Sequence, residues 1–181
     1  MNRTRILTLL SIGHACEHWY FGLLGPILPF LVKELGISFT QVGLLVAGRS
    51  FLSGVSSAGT GIFINVVGGG KWVLAISIAS IALLYGGVSL APTLLVLFPF
   101  FLLSGVATHI WHPPAMGLIG EQFYNRKGFA FGVHGTGASI GQTIAPLLGG
   151  YLLLFFGWRA VLQLNMIPLL LVALLLAAYL P

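Results

Sequence analysis

Apolar residues run along the chain in long blocks, separated by short polar or Gly/Pro-rich stretches. Six blocks reach the roughly 20 residues that a helix needs to cross a bilayer, at 7–32, 40–66, 72–90, 93–119, 129–156 and 160–180. The breaks carry helix punctuation: "KELGISF", "GGGK", "APT", "EQFYNRKG" and "GWR", and the sixth block runs out at Pro181. The pattern predicts an all-α integral membrane protein with six transmembrane helices in one bundle over 1–181.

Composition strengthens this reading. The 181 residues are 57% hydrophobic and 6% charged, against about 25% charged in soluble domains. The net charge of +5 would suggest nucleic acid in a soluble protein. Here the basic residues are scattered between apolar runs, so topology explains them and no nucleic-acid partner is expected. With the N-terminus inside, Arg3, Arg5, Lys71, Arg126 and Lys127 are cytoplasmic, while Lys33 and Arg159 are outside. This places both termini on the cytoplasmic side of the cell membrane. Arg3 and Arg5 before an apolar run resemble a signal peptide, but no small-residue cleavage site follows, and the run is read as the first span. The single cysteine, Cys16, excludes an intrachain disulfide.

Ionisable groups in hydrocarbon cost about 2.5–3.5 kcal/mol each on insertion scales, so their positions carry information. The first span holds His14, Glu17 and His18, the second Arg49, the fourth His109 and His112, and the fifth His134; the third and sixth hold none. Spans 1, 2, 4 and 5 are therefore expected to surround a polar cavity, with 3 and 6 outside. The halves also echo each other. Spans 1 and 4 each carry a histidine pair and two prolines (Pro26 and Pro29; Pro113 and Pro114), and spans 2 and 5 are glycine-rich with one ionisable residue. Such a three-span unit repeated once must be inverted in the membrane, giving a 3+3 repeat. Gly137 and Gly141 form a small-residue packing motif.

His14, Glu17 and His18 fit H-x-x-E-H, the zinc motif of one class of metallopeptidase. That chemistry needs a third ligand and a wet groove, yet the remaining acids, Glu34 and Glu121, fall between spans on opposite sides. The spacing instead suits a helix that turns its polar groups to one cavity. No enzymatic activity, metal or other cofactor is expected; a histidine-lined carrier of transition-metal ions through His14 and His18, and a non-transporting scaffold, remain the alternatives. At about 1.5 Å per residue, Glu17 and Arg49 both reach the midplane of a core about 30 Å thick. An ion pair between them is geometrically allowed. Glu17 would then exchange a proton or Arg49 hold an anionic substrate, unless the pair is static. His109, His112 and His134 fall in the cytoplasmic halves of their spans and are expected at the inner mouth of the cavity. Trp19, Tyr20 and Trp111 either wall that cavity or simply pack.

The residues now resemble the N-terminal half of a major facilitator superfamily transporter. "GQTIAPLLGG" is similar to the family's G-x-x-x-G-P-x-x-G-G motif, associated with exporters and antiporters, with Gly141, Pro146, Gly149 and Gly150 matching and Ala145 replacing a glycine. "GIFINVVGGGK" resembles the G-x-x-x-D-R-x-G-R-R/K loop, with Asn65 and Val66 in place of Asp-Arg. Phe101 stands near the position of an arginine usual in helix 4. Closest in pattern are the fosmidomycin-resistance-like exporters, through "SIGHACEHWYFGLLGPILPF" and "GVATHIWHPPA". His14 and His112 match that branch, whereas His18 and Pro114 replace acidic residues. The resemblance implies proton-coupled antiport of a small molecule by alternating access. It also implies a second six-helix half, from an identical or a separate chain, unless this chain is a fragment.

Overall fold

The computed structural model describes residues 2–67 and 70–180, apart from the side chains of Phe63, Asn65 and Val67. The "GGG" break at residues 68 and 69, the Asn65 side chain in the loop motif, and Pro181 lie outside the described residues. Local signals set the helix ends. The first helix, α1 (Arg3–Leu35), starts where Asn2 Oδ1 accepts the Thr4 N–H at 3.0 Å. It stops at Gly36, whose φ of 63° a residue without Cβ adopts freely and whose N–H returns to the Val32 carbonyl. Next, Ser38 Oγ accepts the Gln41 N–H at 3.2 Å while Gln41 Oε1 accepts the Ser38 N–H at 2.7 Å. This reciprocal capping box starts α2 (Phe39–Val67). The third helix, α3, spans Gly70–Leu90.

Two spans read as continuous are broken. The fourth consists of α4 (Leu94–His109) and α5 (His112–Gln122). Pro113 and Pro114 have no N–H for the carbonyls one turn back, so the ladder fails at Ile110–Trp111. After a short 3₁₀ turn, α6 covers Lys127–Leu152, four residues short of the expected end at 156. There the N–H groups of Leu154 and Phe155 bond three residues back, to Tyr151 and Leu152, and tighten the chain toward Gly157. The sixth span is α7 (Trp158–Leu164) and α8 (Met166–Tyr179), separated at Asn165. Pro168 cannot donate to the Leu164 carbonyl, and the Asn165 Nδ2 instead donates to Val161 O at 2.7 Å.

The helices pair as a repeat requires. The first span packs along the fifth (α1 on α6), the second along the fourth (α2 on α4), and the third along the sixth (α3 on α8). Exchanging the first three spans for the last three maps the first two pairings onto each other and the third onto itself, the internal symmetry of a 3+3 repeat. Among the described residues, three helical stretches are long and apolar enough to cross a membrane by length and composition alone: Gly70–Leu90, Leu94–Gln122 and Trp158–Tyr179. The intramembrane histidines, Glu17 and Arg49 lie on α1, α2 and α6 and at the α4/α5 break, the last inside the second of these stretches.

Close contact between α1 and α6 comes from missing side chains. A Cβ at Gly137 would collide with the Ser11 carbonyl, and one at Gly141 with the Ala15 carbonyl. At Gly149 it would meet Leu23 Cδ2 at 2.6 Å. Gly150 takes no part: the next residue is turned about 100° around the helix, and a Cβ there would meet nothing within 4 Å. On the other flank of α1, Trp19 Nε1 donates to Asn165 Oδ1 at 2.8 Å and Tyr20 Oη to Leu162 O at 3.0 Å. The Tyr20 ring stacks on Tyr85 at 4.4 Å. Trp19 and Tyr20 therefore tie the first span to the third and sixth.

Candidate functional site

The α4/α5 break creates the site. It replaces a smooth turn with a corner from which His109 and His112 project beside α1. Trp111, at the corner, is fully buried and lies where a side chain on Gly13 would sit. That wedge fixes the corner against α1.

All five histidines of the chain meet there. His14 stacks on His134 with ring centroids 4.1 Å apart and an interplanar angle of 14°. His14 also lies 5.0 Å from His18 and 5.3 Å from His112, and His112 lies 5.3 Å from His109. The His14 Nδ1 is 3.0 Å from the His134 carbonyl, which can only accept; Nδ1 therefore carries the proton and Nε2 the lone pair.

Glu17 sits in the middle. It is 2% exposed. Its Oε2 lies 3.0 Å from His18 Nε2 and 3.7 Å from His14 Nε2, and its Oε1 lies 4.0 Å from His112 Nε2. Two of these approaches are too long for a hydrogen bond and the His18 one lacks its alignment, so both carboxylate oxygens are buried without a hydrogen bond. His14 Nε2, His109 Nδ1 and both nitrogens of His134 are likewise buried and unpaired. Buried polar groups are usually satisfied, so a cluster of orphans makes this the candidate site of the bundle.

Arg49 does not complete the cluster. The allowed Glu17–Arg49 ion pair is not formed: Arg49 Nε donates to Ser104 Oγ at 3.1 Å and its Nη2 to Thr108 Oγ1 at 3.0 Å. Both hydroxyls lie on α4, and the guanidinium also sits 5.5 Å from the Phe21 ring. Depth along a helix put Glu17 and Arg49 at one level, but α2 faces α4 and α1 faces α6. Ser104 and Thr108 were missed by the sequence reading, although their i,i+4 spacing beside Gly105 was a usable signal for a polar face.

Around the Phe21 level, the same four spans enclose a pocket of about 330 Å³. Phe21, Leu24, Val46, Phe101, Gln142 and Pro146 are among its lining residues. Its walls are apolar, and Pro146 of the glycine-proline segment contributes to them. The pocket and the histidine cluster lie along the same face of α1, one turn apart.

A six-helix inverted repeat with broken helices and a buried polar cluster is a transporter architecture. The profile of the Major Facilitator Superfamily matches residues 10–181. The chain belongs to this superfamily. It is 26% identical to the uncharacterized MFS-type transporter YwoD of Bacillus subtilis over 98% of this chain and 39% of that protein. The multidrug resistance protein Stp of Mycobacterium tuberculosis is 28% identical over 92% of this chain and 32% of its own length. Among solved structures, a bacterial homologue of the human drug peptide transporters PepT1 and PepT2 superposes with a TM-score of 0.81. That match has 21% identity and covers 98% of this chain and 41% of the other. The chain thus spans about two fifths or less of the length of these proteins. It is a multi-pass membrane protein of a transporter family, not a peptidase.

Proposed function

We propose that the chain is one half of a secondary active transporter that exports a small molecule in exchange for protons by alternating access. The carrying observation is the apolar pocket between spans 1, 2, 4 and 5 standing one turn from Glu17, a buried carboxylate without a donor. The pocket suits an apolar small molecule, and the cluster around Glu17 is the place for coupling. The groups facing Glu17 are His14 and His18 on its own helix and His112 from α5; His109, His134 and Arg49 stand behind them. A relative named for multidrug resistance is in keeping with a small-molecule substrate.

In this reading a second six-helix unit, a copy of this chain or a separate one, supplies the opposite wall of the pocket. The short coverage of the relatives supports it. Both termini lie on the cytoplasmic side of the cell membrane. The end of the bundle with Arg3 and Arg5 also carries Lys71, which reaches the Leu180 carbonyl at 3.5 Å, in keeping with a basic cytoplasmic face.

Vesicles holding the assembled transporter test the proposal with a panel of apolar dyes. An imposed pH gradient should drive dye accumulation, and Glu17→Gln should lose that accumulation while still exchanging dye across the membrane. Accumulation that ignores the gradient, or that survives Glu17→Gln, would overturn the reading.

A further inference from the structure

The orphaned atoms around Glu17 have a shared chemistry that a proton or an apolar substrate does not use up. We propose that His14, Glu17 and His112, with His18 as fourth donor, bind a divalent transition-metal ion of the zinc, cobalt and nickel class. This goes beyond the transport reading and does not depend on it.

Donor type selects the ion: imidazole nitrogens with one carboxylate favour first-row transition metals, whereas magnesium and calcium take oxygen cages. The donor atoms are already gathered. One atom each from His14, Glu17 and His112 lie within 4.8 Å of one another. The edge of a tetrahedron around an ion with bonds of ~2.0–2.1 Å is about 3.3 Å. The Glu17 carboxylate stands 3.0, 3.7 and 4.0 Å from the three Nε2 atoms, so small side-chain rotations close the set.

The ligands are also oriented as metal ligands are. The hydrogen bond of His14 Nδ1 to the His134 carbonyl fixes the tautomer that presents the Nε2 lone pair, a typical outer-shell arrangement. His112 is set by the α4/α5 corner and Glu17 by α1, so two separate elements would be bridged. Access exists on one side only: the His18 and His112 side chains are each 30% exposed, while His14 and Glu17 are nearly covered. Arg49, on α2, is engaged by Ser104 and Thr108 and forms no ion pair with Glu17.

Titration of the metal-stripped full chain with Co²⁺ in detergent tests the site. A saturable visible absorption of four-coordinate Co²⁺ should appear, be displaced by Zn²⁺ and resist Mg²⁺. Glu17→Gln and His112→Asn should each weaken binding by about tenfold or more, the scale at which even supporting groups of metal sites act, whereas Glu34→Gln should leave it unchanged. Zn²⁺ should raise the Tm of the wild type but not of the two ligand variants, which also reports that those variants are folded. Absence of saturable binding, or affinity indifferent to both ligand substitutions, would overturn the site while leaving the transport reading intact. Dye accumulation that ignores the pH gradient, with Co²⁺ binding preserved, would overturn the transport reading alone.

Discussion

The first helix, α1, carries two glutamates, one inside the span and one past its end, and the structure treats them in opposite ways. Glu34, at the end of α1, accepts from Trp158 Nε1 at 2.6 Å and from Arg159 Nε at 2.9 Å. Its side chain is 49% exposed, and Arg159 continues to the Ser89 carbonyl at 2.6 Å. The clasp ties α1 to the third and sixth spans, with both Glu34 oxygens matched. Glu17, about five turns earlier, is buried among imidazoles and accepts no hydrogen bond. One carboxylate is held by its surroundings; the other is left unmatched in a place where an unmatched charge is costly. In the proposed transport cycle, Glu17 is the carboxylate that gains and loses a partner.

The largest expected effect separates the two. In the assembled transporter, Glu17→Gln should remove essentially all gradient-driven accumulation, whereas Glu34→Gln should leave its rate near that of the wild type. Unfolding in detergent should reverse the order. Glu17→Gln removes a stranded charge and supplies amide donors to the imidazoles, so stability should equal or exceed that of the wild type. Glu34→Gln should lose stability. A loss of folding in Glu17→Gln would place both residues in the same structural class.

Next comes the contact that holds the Glu17 helix in place. Gly141→Leu drives a side chain into the Ala15 carbonyl and should cost about 1–3 kcal/mol by forced separation of α1 from α6. Gly150→Leu, whose Cβ meets nothing within 4 Å, should be close to neutral. Thermal unfolding of the pair of variants reads the difference directly.

Much of the architecture was open to reading along the chain. The apolar blocks, the capping residues at Ser38 and Gln41, and the glycine at 36 act locally, so the spans could be placed within a few residues. The proline pair at 113–114 was visible, but its result was not: whether prolines kink a helix or divide it depends on what fills the corner, here Trp111 against Gly13. The site was half legible. His14, Glu17 and His18 share a helix face by spacing alone, whereas the convergence of His109, His112 and His134 on that face depends on which spans pair. Likewise, counting residues gave the depth of Arg49 but not its direction around the helix. That separation can be measured. Arg49→Ala should cost about 1–3 kcal/mol by removing the donors to Ser104 Oγ and Thr108 Oγ1, of which Ser104 keeps its bond to the Phe101 carbonyl. Combined with Glu17→Gln it should be additive within about 0.5 kcal/mol, and a larger coupling would mean the two charges do meet.

The smallest effect concerns the clasp and its dependence on pH. Hydrogen bonds from the Trp158 indole and then the Arg159 guanidinium hold the Glu34 carboxyl below the usual carboxylate range. A group whose pKa is depressed by folding contributes stability when the pH is above its unfolded value, and loses it as pH falls through the folded value. The wild type should therefore lose a little stability on acidification below the ordinary glutamate range, while Glu34→Gln should lack that step. Half the side chain is in solvent, so the step should amount to no more than about 1 kcal/mol, and salt should shrink it. Unfolding midpoints of both proteins across the acid range, at low and high salt, measure it. An acid step of equal size in Glu34→Gln would assign the titration to another carboxyl, and the contrast between a matched and an unmatched glutamate would then rest on Glu17 alone.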